Sequence, residues 1–240
     1  MIVAVVVVLA VVLAGLVGVE LYARHHAAAL IAAAVQCEVD DTAQVSFSTT
    51  PPVLVQYLSN HYTDVSLQTA GNQVRGAKGM QAALNISDVR VQRSGDSKGT
   101  IGALDGTLTW SSDGIKESIQ DAVPVLGSVV TSSVTTNPDD GTVRLKGLLD
   151  SATVKPQIVD NGLSLQVVNL SALGHSLQTD KVQQDLDSLT SKATKNYPLG
   201  IHADSVQVTD SAVVVKFSTQ NATIPAGTSG SGQDSCFANL

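Results

Sequence analysis

Residues 45–71 read VSFSTTPPVLVQYLSNHYTDVSLQTAG. Val45 and Phe47 stand two apart at its start and Val65 and Leu67 two apart near its end, the alternation of strands with one apolar face. Between them Pro51-Pro52 leads into VLVQYL, and a proline is tolerated at a helix start because the N–H it lacks has no intrahelical partner there. The stretch predicts a strand, a short helix and a second strand.

Working outward, the spacing of two recurs at Leu84 and Ile86, at Leu163, Leu165 and Val167, and at Val206 and Val208 against Val213, Val215 and Phe217, and twice that spacing separates Leu104 and Leu108. Turn pairs separate these runs: Gly71-Asn72, Gly95-Asp96, Asp140-Gly141, Asn161-Gly162 and Asp210-Ser211. Asn161-Gly162 predicts the centre of a type I′ hairpin, because both residues accept positive φ. Two more helices are predicted. One covers 111–123, with Ile115, Ile119 and Val123 four apart and Pro124 after them; the other covers 180–195, with Val182, Leu186 and Leu189 on one stripe. Antiparallel strands with few crossover helices give an α+β class.

Ahead of this domain, residues 2–19 contain only Val, Ala, Leu, Ile and Gly. At about 1.5 Å per residue such a run is about 27 Å long as a helix, close to the hydrocarbon thickness of a bilayer. Its length favours a retained anchor over a signal peptide, whose apolar region is shorter, but no Lys or Arg precedes it. Residues 1–24 therefore stand as a signal peptide or membrane anchor, and the chain is expected to be exported. Residues 20–36 are Ala-rich, lack Gly and Pro, and continue the helix. Residues 25–226 form the domain, and 227–240 a tail whose GTSGSGQ is a flexible linker. Export would place Cys37 and Cys236, the only two cysteines, in an oxidising compartment. A disulfide joining the two ends is the natural reading there, with two free thiols as the alternative.

A net charge of −7 argues against a nucleic-acid partner, which needs basic surface, and 3% aromatic residues leave little for base stacking. The nearest fragment to a nucleophile elbow, residues 173–177 (LGHSL), lacks the second glycine. Metal-ligand spacing is absent around His25-His26, His61, His175 and His202, and Asp139-Asp140-Gly141 reads as turn chemistry. No phosphate-binding glycine loop or dinucleotide fingerprint occurs, so no cofactor is expected. Charge patterning remains. Between residues 71 and 100, Arg75, Lys78, Arg90, Arg93 and Lys98 face only Asp88 and Asp96, whereas residues 38–70 hold four acids and no Lys or Arg. Such a basic hairpin is a candidate for anionic head groups, with an ordinary solvated hairpin as the alternative.

The 45–71 stretch resembles the strand, proline-led helix and strand module of the LmeA-like phospholipid-binding proteins of actinobacteria. The closing stretch YPLGIHADSVQVTDSAVVVKF, with Asn221 and Ile224-Pro225 after it, is similar to that family's last hairpin. The resemblance covers about residues 20–226 and carries no catalytic signature. It implies a secreted or membrane-anchored protein of the cell envelope that binds phospholipid and is not an enzyme. It further implies support of mannan elongation in lipomannan and lipoarabinomannan, with glycan-synthesis enzymes among the possible partners. The implied fold is a long, curved antiparallel sheet that wraps a helix and leaves an apolar groove.

On that reading, the strand residues Val65, Leu67, Leu84, Ile86, Leu104 and Leu108 line an acyl groove, and Arg75, Lys78, Arg90 and Arg93 meet lipid phosphate. The branched and small side chains of these strands leave room for a cavity, although alternation alone does not separate a hollow core from a filled one. An anchored scaffolding module without ligand and an envelope hydrolase stand as the alternatives.

Overall fold

The computed structural model describes residues 2–95, 97–122, 132–147, 150–172, 179–225 and 236, with backbone alone for 2–5, 8, 93, 122, 150, 172 and 198. Asp96, the 173–178 fragment with His175 and Ser176, and the 227–233 linker lie outside the described residues.

The chain begins with one long helix, α1 (Ile2–Val39), which stops where Asp40 turns left-handed at φ 60°. Then follow β1 (Ala43–Phe47), α2 (Val53–Ser59), β2 (His61–Thr69), the two-residue strands β3 (Gln73–Val74) and β4 (Ala77–Lys78), and the fifteen-residue strands β5 (Met80–Ser94) and β6 (Ser97–Ser111). The second half contains α3 (Ser112–Ala122), β7 (Ser133–Asn137), β8 (Thr142–Lys146), β9 (Asp150–Val159), β10 (Gly162–Ala172), α4 (Thr179–Thr194), β11 (His202–Val208) and β12 (Ala212–Pro225).

The strands form two main antiparallel sheets. Six strands run in the order β1-β2-β5-β6-β12-β11, and four in the order β10-β9-β8-β7. The expected α+β class, a long antiparallel sheet packed with helices after an N-terminal helix, is the observed one. The large sheet stays open, with β1 and β11 at its edges. The outer edge of β10 in the small sheet is covered by α4. The Val167 N–H donates to Gln183 Oε1 at 2.8 Å, Gln183 Nε2 donates to the Leu165 carbonyl, and the Leu163 N–H donates to Thr194 Oγ1.

The largest core lies between one end of the big sheet, the small sheet and two helices. Met80, Trp110, Val213 and Val215 meet Ile115 and Ile119 of α3, Val182 and Leu186 of α4, and Val143, Leu145, Val154, Leu163 and Leu165 of the small sheet, all without solvent exposure. Ile115 and Ile119, and Val182, Leu186 and Leu189, thus lie on the buried faces of their helices, while Val123 and Pro124 lie outside the described residues.

One turn differs from expectation. The β9–β10 hairpin pairs Val159 with Gly162, so its centre is Asp160-Asn161, at φ 49° and 64°, and not Asn161-Gly162. Gly162 is needed for a different reason. A Cβ there would sit 2.4 Å from Cγ of Lys195, just past the end of α4. The glycine allows helix and strand to approach, while Asn and Asp supply the left-handed turn.

The cysteines are joined: Cys37 and Cys236 form a disulfide with Cα atoms 5.5 Å apart, which ties the end of α1 to the C-terminal tail.

Candidate lipid-binding face

The register of the large sheet brings all six predicted groove residues onto one face. Phe47 pairs with Val65, Val65 with Ile86, and Ile86 with Leu104. One step along, Val45 pairs with Leu67, Leu67 with Leu84, and Leu84 with Gly106; a third row joins Ala82, Leu108 and Val215. Val65, Leu67, Leu104 and Leu108 are buried, whereas Leu84 and Ile86 in the middle are half-buried. Gly106 makes room for its neighbour, since a Cβ there would fall 2.2 Å from Cδ2 of Leu84.

The face extends further than a spacing of two predicts. Asp88 on β5 and Asn221 on β12 are left-handed, at φ 52° and 51°, and both sit opposite Gly102 of β6. Beyond that line the alternation resets, so Val89, Ile101 and Ala222 join Ile86, Leu84 and Leu104 in one apolar cluster with Ile201 and Ile224. The clue in the sequence was residue type, because Asp, Gly and Asn are the residues that tolerate such a conformation.

Above the β1–β2 end lies α1. Ala23, Ala27, Ala28 and Ile31 pack with Phe47, Val53, Val65, Tyr62 and Ile86. Alanine lets a helix come close to a sheet without filling the space beside it. This segment is also bolted down by charge. Glu20 accepts the N–H groups of Val53 and Leu54 at 2.8 Å each, and so caps α2, whose own Pro52 provides no side-chain cap. Arg24 bridges Glu20 at 2.8 Å and donates to the Phe47 and Ser48 carbonyls at 3.2 and 3.0 Å.

Of the four predicted phosphate ligands, the three whose side chains are described, Arg75, Lys78 and Arg90, each pair with a different carboxylate. Arg75 is 8% exposed and is a structural residue. It pairs with the buried carboxylate of Glu38, donates to the Lys195 carbonyl at 2.9 Å, and lies 4.0 Å over the ring of Tyr197. An opposite charge and an aromatic face hold the guanidinium inward, away from the exposed surface on which the phosphate reading places it. Burial in this node pushes the Tyr197 phenol up to about 12. Lys78 pairs with Asp121 of α3, and the hydrogen bond raises the ammonium pKa. Arg90 is exposed on β5, with its Nε 3.1 Å from Asp88, which also meets His61 Nε2 at 2.7 Å. The side chain of Arg93 lies outside the described residues.

A second concavity, a cleft of about 510 Å³ on the small sheet, is lined by Thr135, Thr136, Asn137, Asp140, Thr142, Arg144 and Thr153. None of these is an aliphatic or aromatic residue, so the cleft lacks the hydrocarbon walls that an acyl chain needs. Among the described residues no three His, Cys, Asp or Glu side chains gather as metal ligands.

No solved structure matches this chain. Uncharacterized proteins of Mycobacterium bovis and of two Mycobacterium tuberculosis strains are 54% identical over 235 residues, covering 98% of this chain. The chain spans 66% of the length of those relatives. The model of the LmeA-like phospholipid-binding family matches residues 14–218, a span that holds both sheets up to the middle of β12 and most of α1. The chain therefore belongs to the LmeA-like phospholipid-binding family.

Proposed function

We propose that the protein is a non-enzymatic phospholipid-binding protein of the cell envelope, which takes an acyl chain against the face around Leu84 and Ile86. The observation that carries this is the state of those two side chains: they sit at the centre of a continuous apolar face and are nevertheless half-buried. A phospholipid tail laid over them would remove that surface from water, at about 25 cal/mol per Å². Val65, Leu67 and Leu104 would form the floor, while Leu108 packs into the closed core with Trp110 and Val215. Among the described cations, exposed Arg90 would meet an anionic head group, with His61 on the same Asp88 carboxylate. Support of mannan elongation, through contact with glycan-synthesis enzymes, would be the role in the envelope.

In this reading the N-terminal helix stays attached. Counted over the described side chains alone, which leave out residues 2–5 and 8, no helix is long and apolar enough to cross a membrane; in the full sequence residues 2–19 are apolar without interruption. Cleavage after residue 24 would remove Glu20 and Arg24, and with them the cap of α2 and the tie to Phe47 and Ser48.

Native mass spectrometry of the full chain, purified in a mild detergent and released gently, tests the binding claim. Phospholipid retained at a fixed ratio is expected, and loss of that lipid in Ile86→Trp. A lipid-free mass from the intact protein under gentle release would contradict the proposal.

A further inference from the structure

We infer that α2 is a membrane-docking lip, which rests in the boundary between head groups and acyl chains beside the point where α1 leaves the bilayer. It rests on the anchored reading of α1.

Residues 53–59 form under two turns of helix, yet three of their apolar side chains are turned to water. Val55 is 50% exposed, Tyr57 62% and Leu58 73%. The buried side chains of the same helix are Val53 and Gln56, so the helix has a packed face and an apolar outer face. On a water-soluble surface that outer face would be polar.

Its position names the occupant. The Glu20 carboxylate holds the first two N–H groups of α2, and Glu20 is the residue that follows the apolar run ending at Val19. The start of α2 is therefore fixed at the level where α1 changes from apolar to polar. At that same level Leu21 and Tyr22 of α1 are 61% and 72% exposed. Tyr22 and Tyr57 are the amphipathic aromatic type that favours membrane interfaces. Arg90 follows behind the helix, because the Val91 N–H donates to the Asn60 carbonyl at 2.9 Å. An apolar tip backed by a cation fits a bilayer surface better than it fits a protein pocket. The lip also adjoins the candidate groove: Val53 of α2 packs in the same cluster as Val65 and Ile86, so a lipid leaving the leaflet at α2 would meet the apolar face directly.

The test uses the full chain reconstituted in vesicles of phosphatidylcholine and phosphatidylglycerol. An environment-sensitive fluorophore is placed by Leu58→Cys, by Leu13→Cys within the apolar run, or by Val168→Cys on β10 of the small sheet, which is as exposed as α2. Spin-labelled lipids quench each probe according to depth. The expected result is shallow-lipid quenching at position 58 at least about twofold that at position 168, as for a helix lying in the interface. Deep-lipid quenching is expected at position 13. Quenching at 13 with none at 58 above the level at 168 would overturn the lip and leave the anchor standing. No quenching at either would overturn both. Whether lipid co-purifies is read separately, so failure of the groove is distinguishable from failure of the lip.

Discussion

The two ends of the six-stranded sheet share strands β5, β6 and β12, yet they are finished differently. At one end Trp110, Met80, Val213 and Val215 meet bulky side chains from α3, α4 and the small sheet, and no solvent reaches any of the four. At the other end Ile86 of β5 meets α1, which answers with Ala23, Ala27, Ala28 and Ile31, while Leu84 belongs to the cluster of sheet and loop residues that includes Leu104, Ile101 and Leu199. Large covers make a dry core, and small ones leave apolar surface half open. Alternation runs unbroken from Met80 to Ile86, across both places, so the distinction lies in the helices that cover them.

Breaking the closed end should be the most damaging change. Trp110→Ala removes a fully buried ring and is expected to cost about 3–5 kcal/mol, read as a lowered unfolding midpoint, with lipid per folded chain unaltered. Arg75→Ala should cost nearly as much, about 3 kcal/mol, because it removes the guanidinium that balances the buried Glu38 carboxylate and stacks on Tyr197. If Arg75 instead served a head group, lipid binding would fall while stability held.

At the open end the order of effects reverses. Ile86→Ala, at a half-buried position, is expected to cost only about 1–2 kcal/mol while lowering the retained lipid severalfold in native mass spectra. Equal stability loss at positions 86 and 110, with lipid unaffected, would erase the contrast between the two ends.

Asp41 sharpens the same contrast through pH. Burial alone would raise its pKa, but the Asn72 side chain and the N–H groups of Gly71, Asn72 and Thr42 donate to it, and the net effect is a lowered value. A carboxyl lowered on folding contributes stability that is complete above its unfolded pKa of about 4 and is lost as pH falls through the lower folded value. Asp41→Asn should cost about 1–2 kcal/mol at neutral pH and flatten the acid limb of the stability curve. The smallest stability effect belongs to Arg90→Gln, within about 0.5 kcal/mol for an exposed pair, with weaker retention of anionic over zwitterionic lipid.

Most of this architecture was legible in the sequence. The strand pair around 45–71 and the buried positions Ile115, Ile119, Val182 and Leu186 follow from local period, and the expected bridge between Cys37 and Cys236, the chain's two cysteines, is formed. The six groove candidates fell on one face because period two holds along each strand and the register keeps the strands in phase. What local pattern did not reveal were effects of long-range partners. Arg75 reads as one of five cations in a basic hairpin until Glu38, 37 residues earlier, claims it. The reset of the face beyond Asp88, Gly102 and Asn221 needs three strands aligned at one level. Glu20 as the cap of α2 requires α1 to lie against β1, which no local period encodes.

The central claim, that the open end of the sheet is where lipid lies, is tested most directly by photocross-linking. A diazirine-bearing residue at position 86 in the full chain, irradiated in phospholipid vesicles, should yield a covalent phospholipid adduct by mass spectrometry, whereas the same residue at position 110 should yield none. Equal lipid capture at both positions, or at neither, would contradict the account.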